Sequence, residues 1–282
     1  MSFNCQAAPP PLLLPEDLKY SLHLKHICKL IEELTSSMSL VKVLEIGCGG
    51  GVNLYPIKKR YGDKVAVYGL DISPVAIDYA KKLSIGEFRQ GSADQRCFSE
   101  KFDVIIISDV LEHLPGVEQV AKTLEVVQSS LTDHGLFYLL CPIEANPFSL
   151  YWWFYKTGVF SDHSRKFNGH NIQFRPEQLI EILERYFSVK ELEYSCHFFG
   201  QLSVFLFFVL KREILTLFGS EIENKFRDSN MVLEGNKFLL VLRKLYSTLT
   251  RPLQFVAYYE SQFRRHSKFA AHVLHAVMTN TK

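Results

Sequence analysis

The 282-residue chain has little charge imbalance, no cysteine pair at metal-binding spacing and no apolar run long enough to cross a bilayer. Each lack removes a class of function. A formal charge of +2 gives no basic stripe of the kind a polyanion groove needs, so no nucleic-acid partner is expected. The six cysteines, at 5, 28, 48, 97, 141 and 196, form neither a CxxC pair nor a Cys/His cluster. That scatter suggests no zinc site and no disulfide framework, and it predicts reduced thiols in a cytoplasmic protein. The most apolar run, His197 to Leu210, is fourteen residues long, against the roughly twenty that a spanning helix requires. The N-terminus, MSFNCQAAPPPLLLPEDL, lacks a basic segment and is broken by prolines, so it reads as a frayed arm and not as a secretory signal.

What is present is core-forming residue, 47% of the chain, in a regular order. Residues 17–36 carry Leu18, Leu22, Ile27, Leu30, Ile31 and Leu34 at helical spacing. After them the pattern predicts strand 41–46, helix 52–61, strand 65–70, helix 74–83, strands 86–90 and 102–107, helix 117–131 and strand 135–140. Ser73 before Pro74 is an N-cap followed by a proline at the first helical position. Strands 65–70 and 102–107 are nearly continuous apolar runs, as strands covered on both faces should be. Alternating β and α elements of this kind predict an α/β fold, a doubly wound, mostly parallel, Rossmann-like sheet. A helix over 176–186 and a strand over 187–196 follow, and the apolar run 269–278 reads as a seventh strand returning to the sheet. The expected organisation is an N-terminal arm and helix over 1–40, a Rossmann-like domain over 41–197, a helical insertion over 198–265 and a final strand within 266–282.

The stretch VLEIGCGGG places Gly47, Gly49, Gly50 and Gly51 directly after the first strand, where a bare backbone can approach a ligand. Asp71 closes the next strand, twenty residues past Gly51, where an acid accepts hydrogen bonds from ribose hydroxyls. The alternative is that Asp71 serves only the start of the helix at Pro74. A dinucleotide fingerprint would read G-x-G-x-x-G, but here the order is G-x-G-x-G with Glu45 two residues ahead. A carboxylate there opposes a pyrophosphate and suits a ligand bearing an ammonium and a sulfonium, which favours S-adenosylmethionine over NAD.

VLEIGCGGG, YGLDISPVAIDYAKK and FRQGSADQRCFSEKFDVIIISDVLEHLPG together resemble the successive signatures of class I S-adenosylmethionine-dependent methyltransferases, in the branch that includes ubiquinone-type O-methyltransferases. The resemblance is strongest over 41–142. It implies that Glu45, Gly47, Cys48, Gly49 and Gly51 surround the methionine moiety. It further implies that Asp71 and Ile72 meet the ribose and adenine, that Ser92 and Ala93 flank the adenine, and that Ser108 belongs to the donor site. Ser92 departs from the usual Asp of that family and offers a hydroxyl in place of a charge.

Methyl transfer is an in-line displacement, so positioning can carry much of the rate and a base is needed only for a protonated nucleophile. The strand ending at Ser108 delivers Asp109 and His113 to the crevice. His113 reads either as a general base for a hydroxyl or as a loop support. Asn/Asp-Pro-Pro-aromatic, found in nucleobase-amine methylating relatives, is absent. Asp109, Glu112 and His113 share the i, i+3, i+4 spacing that the resemblance associates with a metal in ubiquinone-type enzymes. No metal is assigned, because Asp in the first position shortens the reach and no second cluster supports it. The aromatic segment around Tyr151, Trp152 and Trp153, with His163 and His170 beyond it, reads either as a pocket wall or as ordinary packing.

Between Lys237 and Lys268 seven Lys/Arg face a single acid, Glu260. Leu239, Leu242, Leu245 and Leu249 form one helical stripe. This region reads as a peripheral membrane contact or as a helical cap or homodimer interface. The sequence therefore predicts a methyltransferase acting on a small or lipid-linked hydroxyl acceptor. Its rivals are a non-enzymatic scaffold and an NAD-dependent oxidoreductase.

Overall fold

The computed structural model describes residues 22–157, 169–205, 252–253 and 255–280. The chain forms two compact units, one of residues 1–142, 169–193 and 274–282, the other of 143–168 and 194–273. The proline arm, His163 and the leucine stripe at 239–249 lie outside the described residues.

The sheet follows from the apolar runs. Strands β1 (Val41–Ile46), β2 (Val65–Asp71), β3 (Gly86–Gln90), β4 (Phe102–Ser108), β5 (Leu131–Pro142), β6 (Ser188–Ser195) and β7 (Val273–Thr279) assemble in the order β3-β2-β1-β4-β5-β7-β6. Strands β1 to β5 pair in parallel. Helices α1 (Leu22–Thr35), α2 (Leu54–Tyr61), α3 (Pro74–Lys82) and α4 (Val117–Ser130) accompany them. The chain builds outward from β1 to β3, then returns to β4 on the other side of β1. That reversal opens a crevice at the carboxyl ends of β1 and β4, where α/β sheets bind their ligands. Strand β4 is buried from Phe102 to Ile107, which accounts for its nearly continuous apolar sequence, and the buried Asp103 accepts from the Lys42 N–H.

Strand β5 begins at Leu131, four residues earlier than the apolar pattern suggests. Its register explains the difference: Phe102 pairs with Leu131 but Val104 pairs with Leu136, so two residues of β4 face five of β5 across an irregularity. Gly135 sits within it, and a Cβ there would lie 3.0 Å from the Phe102 carbonyl oxygen. Ser73 caps α3 by accepting from the Ala76 N–H, with Pro74 at the first helical position, as the sequence indicates.

Two histidines on the inner side of α1 reach polar partners in this unit. His26 Nε2 is 3.1 Å from Glu193 Oε2, and its ring lies beside Tyr138 and His275. The Tyr138 hydroxyl and His275 Nδ1 are 2.7 Å apart. Burial pushes His275 down to about 3, so this cluster is held by a neutral ring.

The second unit contains α5 (Leu150–Thr157) and helices over Phe198–Val204 and 255–263. Its connections are fixed by buried amides. Asn146 Nδ2 donates to the Lys268 and Ala271 carbonyls, while Gln201 accepts from the Tyr151 N–H and donates to the Cys196 and Ala270 carbonyls. Buried amides satisfied in this way specify one arrangement of the segments they join. Among the described residues no cysteine is joined in a disulfide, and no helix is long and apolar enough to cross a membrane.

Candidate functional site

At the end of β1 the chain must turn sharply, and it does so in left-handed backbone. Gly47, Gly49 and Gly51 have φ of +78°, +52° and +82°. Gly47 is also required by space, since a Cβ there would lie 2.2 Å from Val110 Cγ2. The turn is pinned to β2: the Gly47 and Cys48 N–H groups donate to the Leu70 carbonyl. Asp71 completes the clamp. Its Oδ2 accepts from the Gly49 N–H at 2.8 Å and its Oδ1 from the Ser73 N–H at 2.8 Å. Asp71 therefore serves the start of α3, one of its two readings, and the same carboxylate also shapes the glycine turn.

Glu45 lies beneath this turn and is 1% exposed. Its Oε1 accepts from Asn53 Nδ2 at 2.6 Å, and Asn53 Oδ1 lies 3.1 Å from His23 Nε2 on α1. Its Oε2 is buried without a hydrogen-bond partner. Burial raises the carboxyl to about 7, opposed by the Asn53 hydrogen bond and reinforced by the nearby Asp71. A buried, under-satisfied carboxylate at this place fits a cationic group. The residues present thus suit the ammonium-bearing end of S-adenosylmethionine. Cys48 faces inward, where a Cβ on Gly69 would come within 2.7 Å of its sulfur, and burial holds its thiol well above the usual range.

A cavity of about 560 Å³ opens at the crevice. Of the residues singled out from sequence, Gly47, Asp71, Ile72, Ser92, Ala93, Asp109 and His113 line it. Glu45, Cys48, Gly49, Gly51 and Ser108 are not on its wall; Glu45 and the glycines support that wall, and the Ser108 hydroxyl is buried without a partner. Asp109 has φ +53°, an uncommon backbone for a non-glycine residue, and enclosure by the site raises its carboxyl to about 6 against the opposing pull of His170.

His113 sits on a single 3₁₀ turn, Leu111–His113. Its Nδ1 is 3.2 Å from the Gly169 carbonyl, and its ring meets His170 edge-on at 4.8 Å. The backbone N–H groups of Asn171 and Ile172 donate to the Glu112 carbonyl, and Asn171 Nδ2 donates to the His113 carbonyl. A strap over 169–172 thereby fixes the turn. Ligand atoms of Glu112, His113 and His170 all lie within 4.8 Å of one another, so Glu112 and His113 converge with His170, and Asp109 is outside the group. The nitrogen and oxygen donors would suit a divalent ion such as zinc or manganese.

Sequence reasoning missed Asn53, His23, His170 as a neighbour of His113, and the cavity residues Val110 and Asn171. Asn53, a polar residue just beyond the glycine turn, carried a usable signal. The others did not, because their partners are tens of residues away.

Residues 44–137 match the family model of a methyltransferase domain. The chain is 38% identical over 106 residues to the mitochondrial ubiquinone biosynthesis O-methyltransferase of Schizosaccharomyces pombe, covering 35% of this chain and 36% of that one. It is 33% identical over 111 residues to the ubiquinone biosynthesis O-methyltransferase of Actinobacillus pleuropneumoniae, covering 35% and 43%. The matched stretch therefore spans less than half of these relatives. Among solved structures, a methyltransferase of Methanosarcina mazei is similar with a TM-score of 0.47 at 18% identity, over 59% of this chain and 87% of that chain. The glycine turn with its buried acid, the clamp at Asp71 and the family match all fall within one stretch: residues 44–137 form a methyltransferase domain.

Proposed function

We propose that the protein methylates a hydroxyl oxygen of a small or lipid-linked acceptor held in the 560 Å³ cavity. The observation that carries this reading is the lining itself. The donor-side residues Gly47, Asp71 and Ser92 line one cavity with Asp109 and His113. When bound, S-adenosylmethionine supplies a methyl carbon made electrophilic by its sulfonium sulfur. Asp71 would hold the donor from the cavity wall at its ribose, and the buried Glu45 carboxylate would act from behind that wall on the donor's positive charge. The Gly169 carbonyl can only accept, so Nδ1 of His113 carries the hydrogen and Nε2 is the basic nitrogen of the ring, the one that would take the acceptor's proton. Glu112 Oε1, 3.9 Å from Nε2 and buried, stabilises the imidazolium so formed. The bound donor would supply the methyl to the acceptor oxygen and keep the carbon–sulfur electron pair, while His113 would hold the proton released.

The names of the matched relatives, ubiquinone biosynthesis O-methyltransferases, support oxygen as the methylated atom. The test is incubation with methyl-labelled donor and cell extract, followed by separation of lipid from water-soluble products. Label on an alkali-stable ether, lost in His113→Ala but retained in part at high pH, is the expected result. Donor binding by calorimetry with no labelled product from any fraction would favour a scaffold, and labelled nitrogen or carbon would overturn O-methylation.

A further inference from the structure

In the second unit the helix over 255–263 is inside out. Its inner side is marked by Ser261, 4% exposed, whose hydroxyl accepts from the Cys196 N–H. On the opposite side, at i, i+4 and i+8, stand Phe255, Tyr259 and Phe263, exposed by 59%, 55% and 93%. Phe255 and Tyr259 pack ring to ring at 4.6 Å, so the stripe is continuous over its first turn. An outward aromatic stripe on a helix is a surface built for a partner.

The flanking charge identifies that partner. Immediately after the stripe come Arg264, Arg265, His266 and Lys268, with Arg265, His266 and Lys268 exposed. The one acid of this segment, Glu260, is turned to the protein: its Oε2 accepts from the Phe199 N–H at 2.8 Å, and its Oε1 lies 3.9 Å from Arg264. Arg264 lies over Phe269, which packs against the exposed Phe148. Aromatic rings ringed by cations, with the local anion withdrawn, complement a surface that is apolar beneath and negative at its face.

We infer that the 255–269 face docks on an anionic lipid bilayer, with Phe255, Tyr259 and Phe263 entering the headgroup boundary and Arg264, Arg265 and Lys268 meeting lipid phosphates. The inference extends the lipid-linked part of the proposed function, and its test is read independently of methyl transfer.

The experiment is vesicle flotation of the full chain, with phosphatidylcholine alone or with one-third phosphatidylglycerol. Expected is partition to the anionic vesicles only, reduced at 1 M salt. The surface variant F255S/Y259S/F263S should lower partition at least tenfold. R264Q/R265Q/K268Q should lower it by roughly fivefold per cation. Both variants should retain the calorimetric affinity for S-adenosylhomocysteine, which separates this result from loss of the fold or of the donor site. Wild-type protein that binds S-adenosylhomocysteine but does not float with anionic vesicles overturns the inference. So does equal flotation of the triple serine variant. A dimer in ultracentrifugation that this variant converts to monomer, without vesicle binding, would assign the face to a second copy.

Discussion

Donor affinity should depend on pH through Glu45, and the structure sets the size of the effect. The carboxyl rises from 4.5 to about 7 because it is buried, a change equivalent to about 3 kcal/mol between its two protonation states. Between these values the folded, ligand-free protein holds a proton that the unfolded chain has released, so its stability falls as pH rises through that window. A cation beside Glu45 reverses the balance by favouring the carboxylate. Binding then expels the proton, and apparent affinity should weaken roughly 50-fold between pH 7 and pH 5. Calorimetry with S-adenosylhomocysteine in buffers of different ionisation heat would count the released proton directly. Glu45→Gln should bind more weakly at pH 7.5 and lose most of the slope. Asp109, raised to about 6 in the same cavity, is separated by Asp109→Asn, which should keep the Glu45 slope. A flat wild-type profile, or an unchanged slope in Glu45→Gln, would refute the pairing of Glu45 with the donor's positive charge.

Gly47→Ala adds a Cβ 2.2 Å from Val110 Cγ2 at a φ of +78°, which should cost about 1–3 kcal/mol in thermal unfolding. Adding Val110→Ala should recover the steric part and leave the backbone part; a single variant as stable as wild type would show that the turn is not held as described. Asp71→Ala should weaken S-adenosylhomocysteine binding by about 1–3 kcal/mol if the carboxylate that clamps the turn also meets the donor as proposed, and unchanged affinity in calorimetry would sink that role.

Much of the fold was legible because its central strands β1 and β4 are almost wholly buried. FDVIIIS runs apolar from Val104 to Ile107 with one buried acid before it, and the glycine turn announces itself through residues chosen for backbone freedom. Strand β5 was legible only in its apolar half, since Thr132 to His134 pass through an irregularity that breaks alternation. In the site, Glu45, Gly47 and Asp71 stood out because local chain geometry demands them. His23 did not, because its hydrogen bond to Asn53 across 30 residues leaves no period in the sequence. His170 meets His113 only because the strap returns to the 3₁₀ turn across 56 residues, from Gly169 to His113.

The clamp at Asp71 also bears on the thermodynamics of recognition. One carboxylate ties the glycine turn to the first residues before α3, so the turn and the helix start are immobilised together during folding. A donor arriving at this surface has little backbone left to order, and the conformational entropy of the loop has already been surrendered. Binding should therefore resemble docking to a rigid template, with a small heat-capacity change set by the area the ligand itself covers.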